Sequence, residues 1–162
     1  MDSLPDYLSQ VDKIYITWSP PLSVQGSLEV GELRDSYGAQ LDEKVLPVYE
    51  RFQKPIIIGI GYPSVDNAAA GCVMISDHCE SFNVLDQPTG RIAGVSIDME
   101  EQAVIYEAVL ESVNQKDWVS GFVSRGYYPP VGLEDYSSSI RMKPAEDIVS
   151  YWFHELSASS TE

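Results

Sequence analysis

The chain has 162 residues, of which 44% are hydrophobic, so its length and composition fit one globular domain with a buried core. Ten basic and 25 acidic residues give a formal net charge of −15. Because a charge of that sign repels phosphate backbones and anionic lipids, we expect neither nucleic acid nor a membrane surface as a partner. The charge does not argue against neutral or cationic small ligands.

The chain also carries no sign of a membrane span or of a targeting segment. No apolar run approaches the roughly 18 to 20 residues that a span needs. The first ten residues, MDSLPDYLSQ, lack the basic and apolar regions of a secretory signal, so as written the protein is expected to be cytoplasmic. It would be extracellular if a signal segment lies upstream in a longer parent chain. The sequence contains no motif that predicts a cofactor.

The first half of the chain predicts a strand, a helix and a second strand. The first strand is KIYITW, Lys13 to Trp18, rich in β-branched and aromatic residues and followed by a serine and two prolines. A helix is predicted over 32–53 because apolar residues recur at spacings of three and four, and Pro47 should kink or divide it. The second strand lies in KPIIIGIGYPS, Lys54 to Ser64, an apolar run typical of a buried parallel strand.

A long loop from Val65 to about Ile97 follows and is a candidate functional or ordered insertion. It holds Cys72 and Cys79, whose spacing fits a small disulfide ring in an oxidising compartment and fits two free thiols equally well. Asp77 and His78 stand beside Cys79. A tetrahedral metal site needs a further ligand at a recognisable spacing, so we predict no metal site here.

The second half of the chain predicts a helix, a strand and a last helix. Asp98 and Glu101 form a capping pattern ahead of the first of these helices. A third strand is predicted over 118–127, and Pro144 suits the first residue of the last helix. The tail SASSTE, 157–162, is expected to fray. The alternation of strands and helices predicts an α/β fold with parallel strands and with both long loops after strand carboxyl ends.

Three of these pieces, in order, resemble the last three strand and helix units of TIM-barrel glycoside hydrolases of the group that contains β-mannanases. VDKIYITWSPPLS is similar to strand six and its aromatic exit, and KPIIIGIGYPS is similar to strand seven. The segment 118–128, with the later KPAE and the aromatic run YWF, is similar to strand eight and its closing helix. The resemblance implies a partial (β/α)8 barrel of about three C-terminal β/α units. Residues 1–156 would form this barrel portion, and 157–162 the tail.

Two departures from that family bear on activity. The resemblance places one catalytic carboxylate on strand four and the other on strand seven, because glycoside cleavage uses an acid together with a nucleophile or base. No counterpart of strand four is recognised, and the strand-seven position is Gly59. The chain is therefore expected to be glycoside-hydrolase-like but inactive alone, a pseudoenzyme. The alternative is a non-catalytic carbohydrate-binding or scaffold α/β module. Asp66 is the first candidate for a substitute catalytic carboxylate. Glu80, Glu134 and Asp135 are loop acids that could reach the mouth as well.

The candidate binding residues lie at strand ends. Carboxyl ends of barrel strands face the mouth, where active sites gather. The residues placed there are Trp18, Tyr62, Arg125, Tyr127 and Tyr128, and aromatic faces with an arginine suit a cleft for an oligo- or polysaccharide. The other interpretation is that Trp18 and Tyr127 pack under loops and that Arg125 pairs with a loop acid.

Three parallel strands leave two open sheet edges, which pair readily with other chains. We therefore expect the chain either to need an N-terminal half-barrel or to associate with itself.

Overall fold

A computed structural model describes residues 5–22, 28–76, 78–85, 91–129 and 134–159, with side chains up to residue 155. The strands are β1 (Ile14–Thr17), β2 (Ile56–Ile60), β3 (Val73–Ile75), β4 (His78–Glu80) and β5 (Val119–Ser124). The helices are α1 (Val30–Gln40), α2 (Leu46–Phe52), α3 (Met99–Asn114) and α4 (Pro144–Ser159). No helix in these ranges is both long and apolar enough to cross a membrane.

Strands β1, β2 and β5 form one parallel sheet in the order β1-β2-β5, which confirms the predicted parallel α/β arrangement. Ile16 lies opposite Ile58, and Ile58 lies opposite Phe122. The register shifts by one residue in β5, where Ser120 is the extra residue and its hydroxyl donates to the Ile56 carbonyl (3.1 Å). Helical connections therefore join strands that are neighbours in space.

The two faces of this sheet differ in character. Side chains alternate between the faces of a strand, and Ile58, Ile60 and Phe122 are buried on the face that packs against the helices. The opposite face carries the exposed side chains of Tyr15 and Val123. In a closed barrel that second face would line the interior. It is open here among the residues described.

The helix predicted over 32–53 is divided, as its proline predicts. A π-helical turn, Leu41–Val45, joins α1 to α2, and the Leu46 N–H reaches back to the Leu41 carbonyl. Pro47 follows at once and has no N–H to donate, so the regular ladder is interrupted at this point. The predicted apolar stripe is nevertheless continuous and buried across the break. Its members are Leu33, Tyr37, Leu41, Val45, Val48 and Phe52.

The described part of the long loop after β2 has secondary structure of its own. An antiparallel bridge between Val65 and Ile97 closes its base, and β3 pairs with β4 as an antiparallel hairpin within it. A disulfide joins Cys72 to Cys79 across this hairpin. Asp77 is outside the described residues. At the other end of the chain α4 runs to Ser159, into the segment predicted as tail, and residues 160–162 are not described.

Candidate functional site

A polar cavity of about 230 Å³ lies at the carboxyl ends of the parallel strands. We call it the strand-end cleft. Each strand of the sheet contributes a residue from its exit: Trp18 after β1, Gly61 after β2 and Arg125 after β5. The insertion supplies the facing wall through Ser81 and Asn83. The remaining lining residues are Thr17, Ser19, Gly71 and Phe82. Trp18 and Arg125 thus line one cavity, although β1 and β5 lie on opposite sides of β2.

Backbone pairing continues past the strands and fixes these exits. The Trp18 N–H donates to the Gly59 carbonyl (2.8 Å), and the Arg125 N–H donates to the Ile60 carbonyl (2.7 Å). The Gly61 N–H donates to the Ser19 hydroxyl (2.9 Å). Since these bonds lie at the rim of the sheet, the backbone that presents Trp18 and Arg125 is held rather than free. The cleft is therefore largely preformed.

Trp18 is oriented by the helix layer beneath it. Its ring packs on the ring of Tyr37 in α1, with centroids 5.7 Å apart and planes inclined at 32°. Tyr37 is fully buried, and burial raises the pKa of its phenol. The indole is partly buried and also lines the strand-end cleft. Trp18 therefore has both a packing role and a place at the cavity, although its packing partner is a helix rather than a loop.

The insertion can form the facing wall because Gly71 lies close to the exit of β1. Gly71 has φ +84°, and a Cβ at this position would lie 2.6 Å from Pro21. Only glycine combines this backbone conformation with such a close approach. The Leu22 N–H also donates to the Ala69 carbonyl (2.7 Å), and the Cys72–Cys79 disulfide follows immediately. These contacts hold the insertion against the residues that follow β1.

Gly59, the position that the resemblance assigns to a catalytic glutamate, lies on the open face of β2. The Tyr15 side chain of β1 covers it, and an added Cβ would overlap the Tyr15 hydroxyl. Tyr15 itself is 50% exposed, so its ring is free to move toward solvent. The space that a side chain would take at residue 59 is therefore filled by a tyrosine from the neighbouring strand.

Tyr62, Tyr127 and Tyr128 do not line the strand-end cleft. Tyr62 is completely buried, its hydroxyl donates to the Pro20 carbonyl (2.6 Å), and burial raises the pKa of its phenol. Tyr127 and Tyr128 are exposed beyond β5. The Tyr127 hydroxyl donates to the Glu146 carboxylate, which raises the pKa of Tyr127 and lowers that of Glu146.

Asp66 belongs to a group of carboxylates at the base of the insertion. Ligand atoms of Asp66, Asp98 and Glu101 lie within 4.8 Å of one another. Asp98 caps α3, because its carboxylate accepts a hydrogen bond from the Glu101 N–H (2.8 Å). The carboxylate of Glu101 in turn accepts hydrogen bonds from the N–H groups of Asn67 (2.9 Å) and Ala69 (2.8 Å). Burial raises the pKa of Glu101, and these backbone bonds oppose that shift. Two of the three carboxylates thus have structural partners that explain their positions.

A buried cation, the ammonium of Lys143, was not identified from the sequence. The Lys143 ammonium donates to the Ser64 hydroxyl (2.9 Å) and the Ser137 carbonyl (2.8 Å), and it lies 3.7 Å from Asp135 Oδ2. The side chains of Lys143 and Asp135 are each 2% exposed. Burial lowers the pKa of Lys143 to about 8, although Asp135 opposes the shift. This pair anchors the segment ahead of α4, in which Ser138 contacts the cleft residue Gly61 (3.3 Å).

Comparison with known proteins gives matches only in structure. No protein-family model and no curated protein sequence matches the chain. A GH113 β-1,4-mannanase solved as a complex matches with a TM-score of 0.60 and 19% identity, over 92% of this chain and 41% of the mannanase. Another GH113 β-1,4-mannanase structure matches with a TM-score of 0.51 and 22% identity, over 75% of this chain and 36% of the mannanase. The chain therefore spans about two fifths of the first mannanase, and its α/β fold with a parallel sheet matches part of the TIM barrel of these structures.

Proposed function

We propose that this chain is a carbohydrate-binding portion of a glycoside-hydrolase-like barrel and that it does not hydrolyse glycosidic bonds on its own. The observation that carries the proposal is the strand-end cleft, where an indole, a guanidinium and small polar side chains converge. Sugars are bound by stacking on aromatic faces and by hydrogen bonds to their hydroxyls. Trp18 supplies the first kind of contact, and Arg125 with Asn83 supplies the second.

The size of the cleft limits its ligand. Its volume of about 230 Å³ is below the roughly 300 Å³ at which pockets for drug-sized molecules begin. We infer that it accepts one sugar ring of an oligosaccharide, with the other rings lying outside. The matched mannanases make β-1,4-linked manno-oligosaccharides the first probe.

The proposal that the chain does not hydrolyse glycosides rests on the kinds of side chain that line the cleft. Both glycosidase mechanisms need two positioned carboxyl groups, and none of the described residues that line the cleft is an Asp or a Glu. Gly59 supplies no group at the strand-seven position. Asp66 stays a candidate for a substitute carboxylate, although it lies beside Asp98 and Glu101. A scaffold role without a sugar ligand is the alternative, supported by the packing of Trp18 on Tyr37.

Titration calorimetry with β-1,4-mannotriose tests the binding proposal. We expect measurable binding that weakens at least about tenfold in Arg125→Met, since a hydrogen bond to a charged group contributes roughly 1.5–3 kcal/mol. Arg141→Met is the matched control, because Arg141 lies over the Tyr127 ring outside the cleft. Binding that is absent, or equally weakened by both substitutions, would favour the scaffold role.

Activity needs a separate assay. Incubation of the chain with mannan and with an aryl β-mannoside should release no product above the buffer rate. Turnover that is lost in Asp66→Asn would show that the chain is an enzyme and that Asp66 is one of its catalytic groups.

A further inference from the structure

A buried polar segment, residues 135–139, contacts the strand-end cleft without lining it. Each of its residues is at most 3% exposed, although four of the five are Asp or Ser. Polar groups at this depth are stable only when hydrogen bonds within the protein replace those to water. The partners of these groups therefore show which parts of the chain the segment holds in place.

Ser138 bonds to two separate parts of the cleft. Its N–H donates to the Leu85 carbonyl (3.1 Å), and its hydroxyl donates to the Gly61 carbonyl (3.3 Å). Leu85 ends the 3₁₀ turn Phe82–Leu85, which gives Asn83 to the facing wall of the cleft. Gly61 is the lining residue at the exit of β2. One residue therefore links the exit of β2 to the insertion.

The backbone of Gly61 is held on both sides. Its N–H donates to the Ser19 hydroxyl (2.9 Å), and its carbonyl accepts the Ser138 hydroxyl. A Cβ added at Gly61 would lie 3.2 Å from the Arg125 Cβ and 3.5 Å from the Ser138 Cβ, so these two side chains converge on the glycine. Because protein interiors are close-packed, a displacement of Ser138 would move Gly61 relative to Arg125.

The residues on either side of Ser138 fasten the segment to two strand exits. The Ser137 carbonyl accepts the Lys143 ammonium (2.8 Å) and the N–H of Ser64 (3.3 Å), which follows β2. The Ser139 hydroxyl accepts the Tyr128 N–H (3.0 Å) and donates to the Tyr128 carbonyl (3.1 Å), beyond the end of β5. Ser138 is therefore held between two fixed points.

We propose that Ser138 is a positioning residue of the strand-end cleft, which fixes the spacing between the β2 exit and the wall that the insertion forms. This inference rests on the proposed function, since it concerns the affinity of the same cleft for a sugar. Walls that keep their spacing before binding reduce the ordering cost that binding must overcome. Ser138 does not line the cleft, so it acts on a ligand through Gly61 and the turn that carries Asn83.

Calorimetry with β-1,4-mannotriose compares Ser138→Ala with two matched controls. Ser138→Ala should weaken binding about fivefold, the loss expected for one neutral hydrogen bond. Ser120→Ala removes the same kind of bond, from a serine hydroxyl to the Ile56 carbonyl of β2 (3.1 Å), at the strand end away from the cleft. Ser112→Ala truncates a serine of α3 that is 1% exposed. Both controls should bind the sugar as the unsubstituted chain does, whatever stability they lose.

Hydrogen exchange of the unliganded chain tests the link independently of the sugar. In Ser138→Ala the amides of 83–85 should exchange about fivefold faster than in the unsubstituted chain, whereas those of α3 should keep their rates. If Ser138→Ala does not fold, exchange of the unsubstituted chain in dilute urea decides. The amides of Gly61 and Ser138 should then open together.

The outcomes separate this inference from the proposed function. A chain that binds no mannotriose would overturn the proposed function, and faster exchange confined to 83–85 in Ser138→Ala would still support the link. Where the chain does bind, unchanged affinity in Ser138→Ala, or an equal loss in both controls, would overturn the positioning role. Unchanged exchange at 83–85, or separate opening of Gly61 and Ser138, would overturn it with or without a ligand.

Discussion

The side chain of Tyr15 on β1 covers Gly59 on β2, so a methyl group added at Gly59 would overlap the Tyr15 hydroxyl. The two residues lie on the open face of the sheet, on neighbouring strands. The tyrosine occupies the space that a side chain at residue 59 would need. A consequence is that the stability cost of any substitution at Gly59 should depend on Tyr15.

Gly59→Ala should lower the free energy of unfolding by at most about 1 kcal/mol, the low end of the cost of overpacking, because the half-exposed Tyr15 ring can turn toward solvent. In the Tyr15→Ala background the same substitution should be neutral or slightly stabilising, because glycine within a strand costs about 0.5–1 kcal/mol relative to alanine. Urea unfolding of the four chains of this double-mutant cycle measures the coupling. An equal cost in both backgrounds would mean that Tyr15 does not limit the space at Gly59.

Reduction of the Cys72–Cys79 disulfide should lower the free energy of unfolding by about 2–3 kcal/mol, the entropic contribution of a short closed loop. The hairpin that it cross-links lies between cleft residues Gly71 and Ser81, so reduction should also weaken the proposed binding of manno-oligosaccharides. Thermal unfolding and calorimetry with and without reductant measure both effects. The double variant Cys72→Ser, Cys79→Ser should be insensitive to reductant, and a wild-type protein equally insensitive would contradict the prediction.

Lys143 should make the protein more stable as pH rises above neutrality. Its pKa is about 8 in the folded protein against an ordinary value of 10.5 in the unfolded chain. Between these values the unfolded chain binds a proton that the folded protein does not, so the free energy of unfolding rises with pH. The full rise amounts to about 3 kcal/mol at most.

Buried tyrosines set the upper limit of the pH range in which this effect of Lys143 can be measured. Burial raises the pKa of Tyr62 and of Tyr106, so their ionisation in the unfolded chain lowers stability once the pH passes about 10. Urea unfolding between about pH 8 and about pH 9.5 therefore isolates Lys143. In Lys143→Met the rise with pH should be absent, and parallel profiles for the two proteins would show that another group is responsible.

Two single-charge changes in the carboxylate group of the insertion should differ in their effect on the free energy of unfolding. Glu101→Gln keeps one acceptor oxygen for two backbone N–H groups and should cost about 1–2 kcal/mol. Asp66→Asn removes the same charge without breaking those bonds. It also relieves repulsion with Glu101, so it should be neutral or stabilising by a few tenths of a kcal/mol. Urea unfolding at neutral pH compares the two, and effects of the same sign and size would contradict this account.

The strands of the parallel sheet, their direction and the helices between them could be predicted from local sequence, whereas the hairpin of β3 and β4 lies in a segment predicted as a loop. Apolar runs such as Ile56–Ile60 and the stripe that contains Leu33, Tyr37 and Leu41 have the periods of a buried strand and of a helix face, and the structure has both elements. The position of the break at Pro47 also followed from the chemistry of one residue, since proline has no N–H. The resemblance in three ordered segments predicted the partial barrel, and the structural matches confirm that fold.

The composition of the cleft depended on contacts between distant residues. The sequence placed Trp18, Arg125 and Tyr62 at strand ends alike. In the structure Tyr62 is buried, with its hydroxyl hydrogen-bonded to the Pro20 carbonyl. Trp18 and Arg125 line the cavity instead. Asn83 and the Lys143–Asp135 pair have no local signal, because their positions depend on how an insertion and a long loop fold back onto the sheet. Local patterns thus determined the elements, since hydrophobic period and backbone chemistry act over a few residues. Which side chains meet at the strand ends was decided only by the packing of segments far apart in the chain.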